Sequence, residues 1–169
     1  AADLQDDPLV GAEGIMTTDS YAKALSAGVP GSDATIAWVA KGSGMIEPNM
    51  ATMLSYVFTD AALDAATLDR LLREAVAVSF NMLSVDGDTS TSDTCAILAN
   101  GRAGAVDERA FRDTLVAGSI RMTEMLARDG EGAEHLLRVT VRGAADGREA
   151  RRVAKSIVNS PLVKTMVHG

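Results

Sequence analysis

The chain has 169 residues, 47% apolar and 23% charged, the composition of a globular domain with a real core to bury. Only 4% are aromatic, so the core must be built from Ala, Val, Leu, Ile and Met, and a stacking platform for bases or sugars is disfavoured. The formal net charge of −7, with no long run of Lys or Arg, argues against a nucleic-acid partner, and no apolar run approaches the roughly 20 residues of a membrane span.

Residues 1–14 read as a polar lead-in or the end of a helix, with neither a signal-peptide start nor an initiator Met, so a segment is expected upstream. Ile15–Asp19 opens a stretch that carries Gly28, Pro30 and Gly31. Between Thr35 and Lys41, Ile36, Trp38 and Ala40 alternate with Thr35, Ala37 and Val39, which predicts a strand. Gly42–Asn49 is a turn-rich loop, and Thr52–Thr59 suits a buried strand. Asp64 can cap a helix with Leu68, Leu71, Leu72, Ala75 and Val76 at three- and four-residue spacing. A strand pair is expected over Asn81–Asp86 and Thr94–Asn100, joined by polar residues 87–93 and closed by a turn at Asn100-Gly101. Asp107 can cap a second helix bearing Phe111, Leu115, Met122, Met125 and Leu126 on one face, followed by a loop at Asp129–Gly132. Leu137, Val139 and Val141 alternate with Arg138, Thr140 and Arg142 in a one-sided strand pattern. A third helix carries Ala150, Val153, Ala154, Ile157 and Val158, and the apolar run Leu162–Val167 after it is expected to leave an exposed patch at a truncated end. Strands mixed with helices predict an α/β or α+β domain with layered packing.

Several motifs carry less than they promise. Cys95 is the single cysteine, which excludes an intrachain disulfide and a cysteine zinc cluster, fits a reducing cytosolic setting, and reads as a small buried thiol. Gly42-Ser43-Gly44 lacks the third glycine of a dinucleotide loop and the Gly-Lys-Ser/Thr of a P-loop. The acidic run from Asp86 fails as a calcium loop, having Thr91 where Gly is needed and Ile97 where Glu is needed. His135 and His168 are far apart in sequence and have no evident partner for a triad or a metal.

The segment Lys41-Gly42-Ser43-Gly44-Met45-Ile46-Glu47-Pro48-Asn49-Met50-Ala51-Thr52-Met53-Leu54 closely resembles the autoprocessing segment of the ornithine acetyltransferase family. Ile15–Asp19, Thr59-Asp60-Ala61, Ser79-Phe80-Asn81, Ser84–Thr94, Asp129–Ala133 and Asn159–Thr165 agree with the same family in the same order. The resemblance implies a four-layer α/β/β/α sandwich of which this chain is the central part. It also implies self-cleavage between Ala51 and Thr52, so that residues 1–51 end one chain (α), 52–169 begin another (β), and Thr52 becomes an N-terminal nucleophile.

The chemistry of that motif is coherent. A threonine hydroxyl needs a base, and an α-amino group with a pKa of about 7.7–8.0 supplies one from the same residue. Small Ala51 leaves its carbonyl open to attack. The resemblance further implies that Lys41 and Glu131 bind substrate, with the ammonium suited to a carboxylate and the carboxylate to an α-nitrogen. Of Thr17 and Thr18, the second is the implied substrate contact, against a rival reading in which these threonines cap a helix over Tyr21–Leu25. Where the family usually has Thr-x-Pro-Lys after the threonines and aspartate, this chain has Ser20-Tyr21-Ala22-Lys23. The family's upstream oxyanion pair and C-terminal ligands have no counterpart in the sequence. The implied reaction moves acetyl from N-acetylornithine to glutamate without metal or organic cofactor, with acetyl-CoA a further candidate donor and a cytoplasmic dimer of αβ units the implied assembly. A relative with another acyl donor, an aminopeptidase of the same fold, and a non-catalytic fragment remain the alternatives.

Overall fold

The computed structural model describes residues 7–46, 53–87 and 93–169. Strands β1 (Lys23–Gly28), β2 (Thr35–Lys41), β3 (Leu54–Ala61) and β4 (Thr94–Gly104) form one sheet in the order β1-β2-β3-β4. β1 pairs with β2 and β2 with β3 in antiparallel fashion, whereas β3 and β4 are parallel. A parallel step needs a crossover, and α2 (Ala65–Val78) lies within it. Asp64 starts that helix by accepting from Ala66 N at 2.9 Å and Thr67 N at 3.0 Å. Asp107 starts α3 (Glu108–Arg128) by accepting from Ala110 N at 2.7 Å.

The strand alternation decides where the core sits. Ile36, Trp38 and Ala40 of β2 and Val57 of β3 are buried together with Leu71 and Ala75 of α2 and Phe111, Leu115, Met122 and Leu126 of α3. Trp38 packs closely against α3 because residue 118 is glycine. A Cβ there would collide with Trp38 Cη2 and Cζ2 and lie 2.7 Å from Cε2. The indole Nε1 donates to Ser119 Oγ at 3.2 Å. Phe58, paired between Ala37 and Leu98, belongs to the opposite face, where Phe58 and Leu98 stay about half exposed. The described residues thus supply one sheet and one helical layer of the expected four-layer sandwich. α1 (Pro8–Ile15) packs against β1 and β2.

Four local expectations are corrected. No strand forms at 81–86: Phe80–Met82 is a 3-10 turn with Phe80 and Leu83 both buried, and β4 takes its partner from β3, in parallel, instead of from a hairpin. Asn100-Gly101 does not end β4. Gly101 takes φ 72° and the register shifts opposite Thr59 to Ala61, so the dipeptide is a bulge inside a longer strand. Residues 136–142 form no strand: alternation describes a one-sided surface, and this segment pairs with no strand of the sheet. No helix forms over Tyr21–Leu25, since β1 begins at Lys23, and the capping reading of Thr17 and Thr18 falls with it. The third helix is α4 (Gly147–Val158), and the apolar tail is α5 (Pro161–His168), on which Leu162 and Met166 are 83% and 74% exposed, as expected.

Candidate active site

β2 ends at Lys41, whose side chain is largely buried, so its ammonium must be held by protein groups. Lys41 Nζ donates to Thr17 Oγ1 at 3.2 Å. The next threonine, Thr18, shares a hydrogen bond of 2.6 Å with Ser43 Oγ. The carbonyl of Ser43 in turn accepts from Glu131 N at 2.7 Å. The Glu131 carboxylate rests over Gly44, where a Cβ would lie 2.9 Å from Oε2. Three segments far apart in sequence therefore meet at one strand end: Thr17-Thr18, Lys41–Gly44 and Glu131.

Behind them is a buried ion triad. Lys23 is fully buried, with Nζ 2.7 Å from Asp19 Oδ1 and paired also with Asp129 Oδ2. Asp19 accepts from Gly42 N at 2.6 Å and Thr17 N at 3.2 Å. Asp129 accepts from Ser20 N at 3.1 Å and from the Ser20 hydroxyl. Burial pushes the Asp19 carboxyl up, but the Gly42 N–H, the Lys23 ammonium and the Thr17 N–H outweigh it and hold it below the ordinary aspartate value.

Ala51 and Thr52, the expected cleavage pair and nucleophile, lie outside the described residues. Their flanks are anchored on both sides. Ile46 N donates to Asp86 Oδ1 at 3.0 Å and its carbonyl accepts from Val85 N at 2.7 Å; Met45 N also donates to Asp86. Met53 N, the amide that follows Thr52, donates to Asp93 Oδ1 at 2.7 Å, and Met53 O accepts from Thr94 N at 3.0 Å. Burial raises the Asp93 carboxyl, against the opposing pull of the Met53 N–H and the Lys41 charge. Cys95, next in the chain after Thr94, is a partly buried thiol packed against the core and pushed up to about 11 by burial.

Lys41, Glu131, Thr17 and Thr18 were legible through the family motif. Lys23, Asp19, Asp129, Ser43 and Asp93 were not singled out. Asp19 sat in the Thr-Thr-Asp motif and Asp93 in a run read as a polar turn. Lys23 stood at the lysine of the Ser20-Tyr21-Ala22-Lys23 segment compared with the family's Thr-x-Pro-Lys, and Asp129 opened the matching stretch Asp129–Ala133, but neither was given a role. The two histidines, distant in sequence, line one cavity of about 470 Å³ together with Glu131, Leu83, Val85 and Lys164.

A model of the ArgJ family matches residues 2–169. The chain is 53% identical over 158 residues to the arginine biosynthesis bifunctional protein ArgJ of Rhodococcoides fascians, covering 94% of this chain and 39% of that protein. It is 50% identical over 158 residues to the glutamate N-acetyltransferase Oat2 of Streptomyces clavuligerus, covering 94% of this chain and 40% of that protein. The crystal structure of arginine biosynthesis bifunctional protein ArgJ from Bacillus halodurans matches with a TM-score of 0.67 and 42% identity, over 70% of this chain and 59% of that one. The chain spans about two fifths of the length of these curated relatives.

Proposed function

The chain belongs to the ArgJ family, and on that premise we propose that it is the central part of a self-cleaving acetyltransferase that moves acetyl from N-acetylornithine to glutamate. The observation that carries this reading is the meeting of Lys41, Thr17, Thr18 and Glu131 at the strand end that leads into Ala51-Thr52. Met53, immediately beyond, is tied to Asp93 and Thr94.

Before cleavage, Thr52 Oγ attacks the Ala51 carbonyl carbon and the peptide C–N bond breaks, leaving an ester on Oγ and a free α-amine on Thr52. Water hydrolyses the ester, giving a carboxylate on Ala51 and a free hydroxyl. In transfer, the Thr52 α-amine takes the hydroxyl proton while Oγ attacks the acetyl carbonyl of N-acetylornithine. Ornithine leaves with that proton, and the amine of glutamate then takes the acetyl group from the threonine ester. Lys41 meets the α-carboxylate of either substrate, Glu131 its α-nitrogen, and Thr18 adds a hydroxyl beside them. These contacts use the part that both substrates share, which lets one site serve donor and acceptor in turn. The reaction calls for no metal or organic cofactor.

The α part, 1–51, and the β part, 52–169, need no covalent link to stay together. β2 and β3 lie on opposite sides of the cut and pair over six residues each, from Ile36↔Thr59 to Lys41↔Leu54. The complete enzyme is a cytoplasmic dimer of such αβ units. The test is acetyl transfer between N-acetylornithine and glutamate by the full-length protein, compared with acetyl-CoA as donor. Transfer from N-acetylornithine that disappears in Thr52→Ala supports the proposal, and undiminished transfer in that variant sinks it.

A further inference from the structure

We infer that Lys23 is a positioning residue for this reaction, fixing the separation of Thr17, Lys41 and Glu131 through Asp19 and Asp129. The substrates involved rest on the acetyl-transfer reading above; the positioning rests on the fold alone. Lys23 has no solvent exposure, and its three donors are taken up by Asp19, Asp129 and, at 3.5 Å, the Tyr21 carbonyl. The Tyr21 ring lies 4.8 Å from its ammonium. No donor is left for a substrate, so it acts through its partners.

Each of those partners holds a different piece of the site. Asp19 grips Thr17 N and Gly42 N, the amide next to Lys41. Asp129 caps α3 two residues before Glu131 and also binds Ser20. An apolar side chain of similar length would fill the same volume, and buried ion pairs are seldom the cheapest way to gain stability. What an ammonium between two carboxylates adds is direction: it fixes how far the Glu131 turn stands from the Lys41 strand end. A substrate whose α-amino and α-carboxylate groups must meet Glu131 and Lys41 together requires that distance to be constant, since a misplacement of about 1 Å can cost about a hundredfold.

The experiment compares the full-length protein with its Lys23→Met and Asp129→Asn variants, using amide hydrogen exchange and steady-state kinetics. Asp129→Asn keeps an acceptor for Ser20 while giving up the ion pair, so it carries the test if Lys23→Met does not fold. Exchange at the Gly42 and Glu131 amides is expected to speed up about tenfold or more in the variants, while the central strand amides of Trp38 and Val57 stay protected. KM for both substrates should rise by about five- to tenfold, more than kcat falls. Arg70→Ala, which breaks an exposed pair with Glu74 and Glu108, should change neither quantity. A folded Asp129→Asn protein with wild-type exchange at Gly42 and Glu131 overturns the inference. So does wild-type KM in an otherwise active enzyme. If the unaltered protein transfers no acetyl group, the functional reading fails while the exchange measurement still decides the positioning role.

Discussion

Replacing Gly44 with alanine separates the site from the fold more cleanly than any change to a charged residue. Gly44 has no positive φ, so alanine suits its backbone; what the new methyl meets is the Glu131 carboxylate, 2.9 Å from Oε2 and 3.9 Å from Cβ, with Asp86 Oδ2 at 3.8 Å. Ordinary contacts begin near 3.4 Å, so the carboxylate must retreat by at least several tenths of an ångström. It is the far end of a flexible, exposed side chain, and the retreat costs the fold little. Removing glycine's freedom in the unfolded chain returns about 0.4–1 kcal/mol, so the melting temperature should hold or rise slightly. Substrate binding should not escape. Losing half or more of a charge-assisted contact worth about 1.5–3 kcal/mol weakens binding by roughly three- to a hundredfold. The assay pairs thermal unfolding with KM for N-acetylornithine and for glutamate in the full-length protein. Unchanged KM for both substrates would refute the placement of Glu131 at the substrate, and a large fall in melting temperature would refute the packing argument.

Gly118→Ala should do the opposite, harming the fold first. Overpacking against Trp38 costs about 3 kcal/mol and helix propensity returns about 1, leaving a loss of about 2 kcal/mol; Trp38→Phe in the same protein should relieve part of it, as a double-mutant cycle in urea would measure. Asp19 has a carboxyl held below its ordinary 3.8, so its contribution is fully present above that value and is lost as pH falls through the lower folded-state value. Asp19→Asn should therefore be less stable than the parent at neutral pH, with the gap closing in acid, and unfolding curves across pH would reveal a constant gap if the reasoning is wrong. Cys95, with its thiol pushed up to about 11, should resist alkylation at pH 8 until the protein unfolds; rapid labelling of the native protein, read by mass spectrometry, would contradict its burial.

What the sequence disclosed follows from the range of the interactions involved. Local chemistry was readable: the Asp64 and Asp107 caps, the alternation of β2 and the helical spacing of α2 and α3 each depend on neighbours within a few residues. The errors came where a distant partner decides. Asn81–Asp86 has strand-like composition, but Phe80–Met82 coils into a 3-10 turn that buries Phe80 and Leu83, and β4 takes β3 as its partner, in parallel. The Leu137–Val141 alternation is equally good and equally unpaired. β1, with Lys23, Ser26 and Gly28 among its six residues, is too polar and short to stand out, and becomes a strand by pairing with β2. The site divided in the same way. Lys41 and Glu131 were proposed from the family's motifs, whereas Lys23 looked like any solvated lysine because Asp129, which helps bury it, is 106 residues away.

In the proposed mechanism Thr52 cuts its own chain and then carries the acetyl group. Intact-mass spectrometry of the full-length protein and of its Thr52→Ala and Thr52→Ser variants tests that most directly. Two pieces divided between Ala51 and Thr52 are expected in the parent, one unbroken chain in Thr52→Ala, and slow, partial division in Thr52→Ser. A Thr52→Ala protein that divides at the same bond would contradict the mechanism.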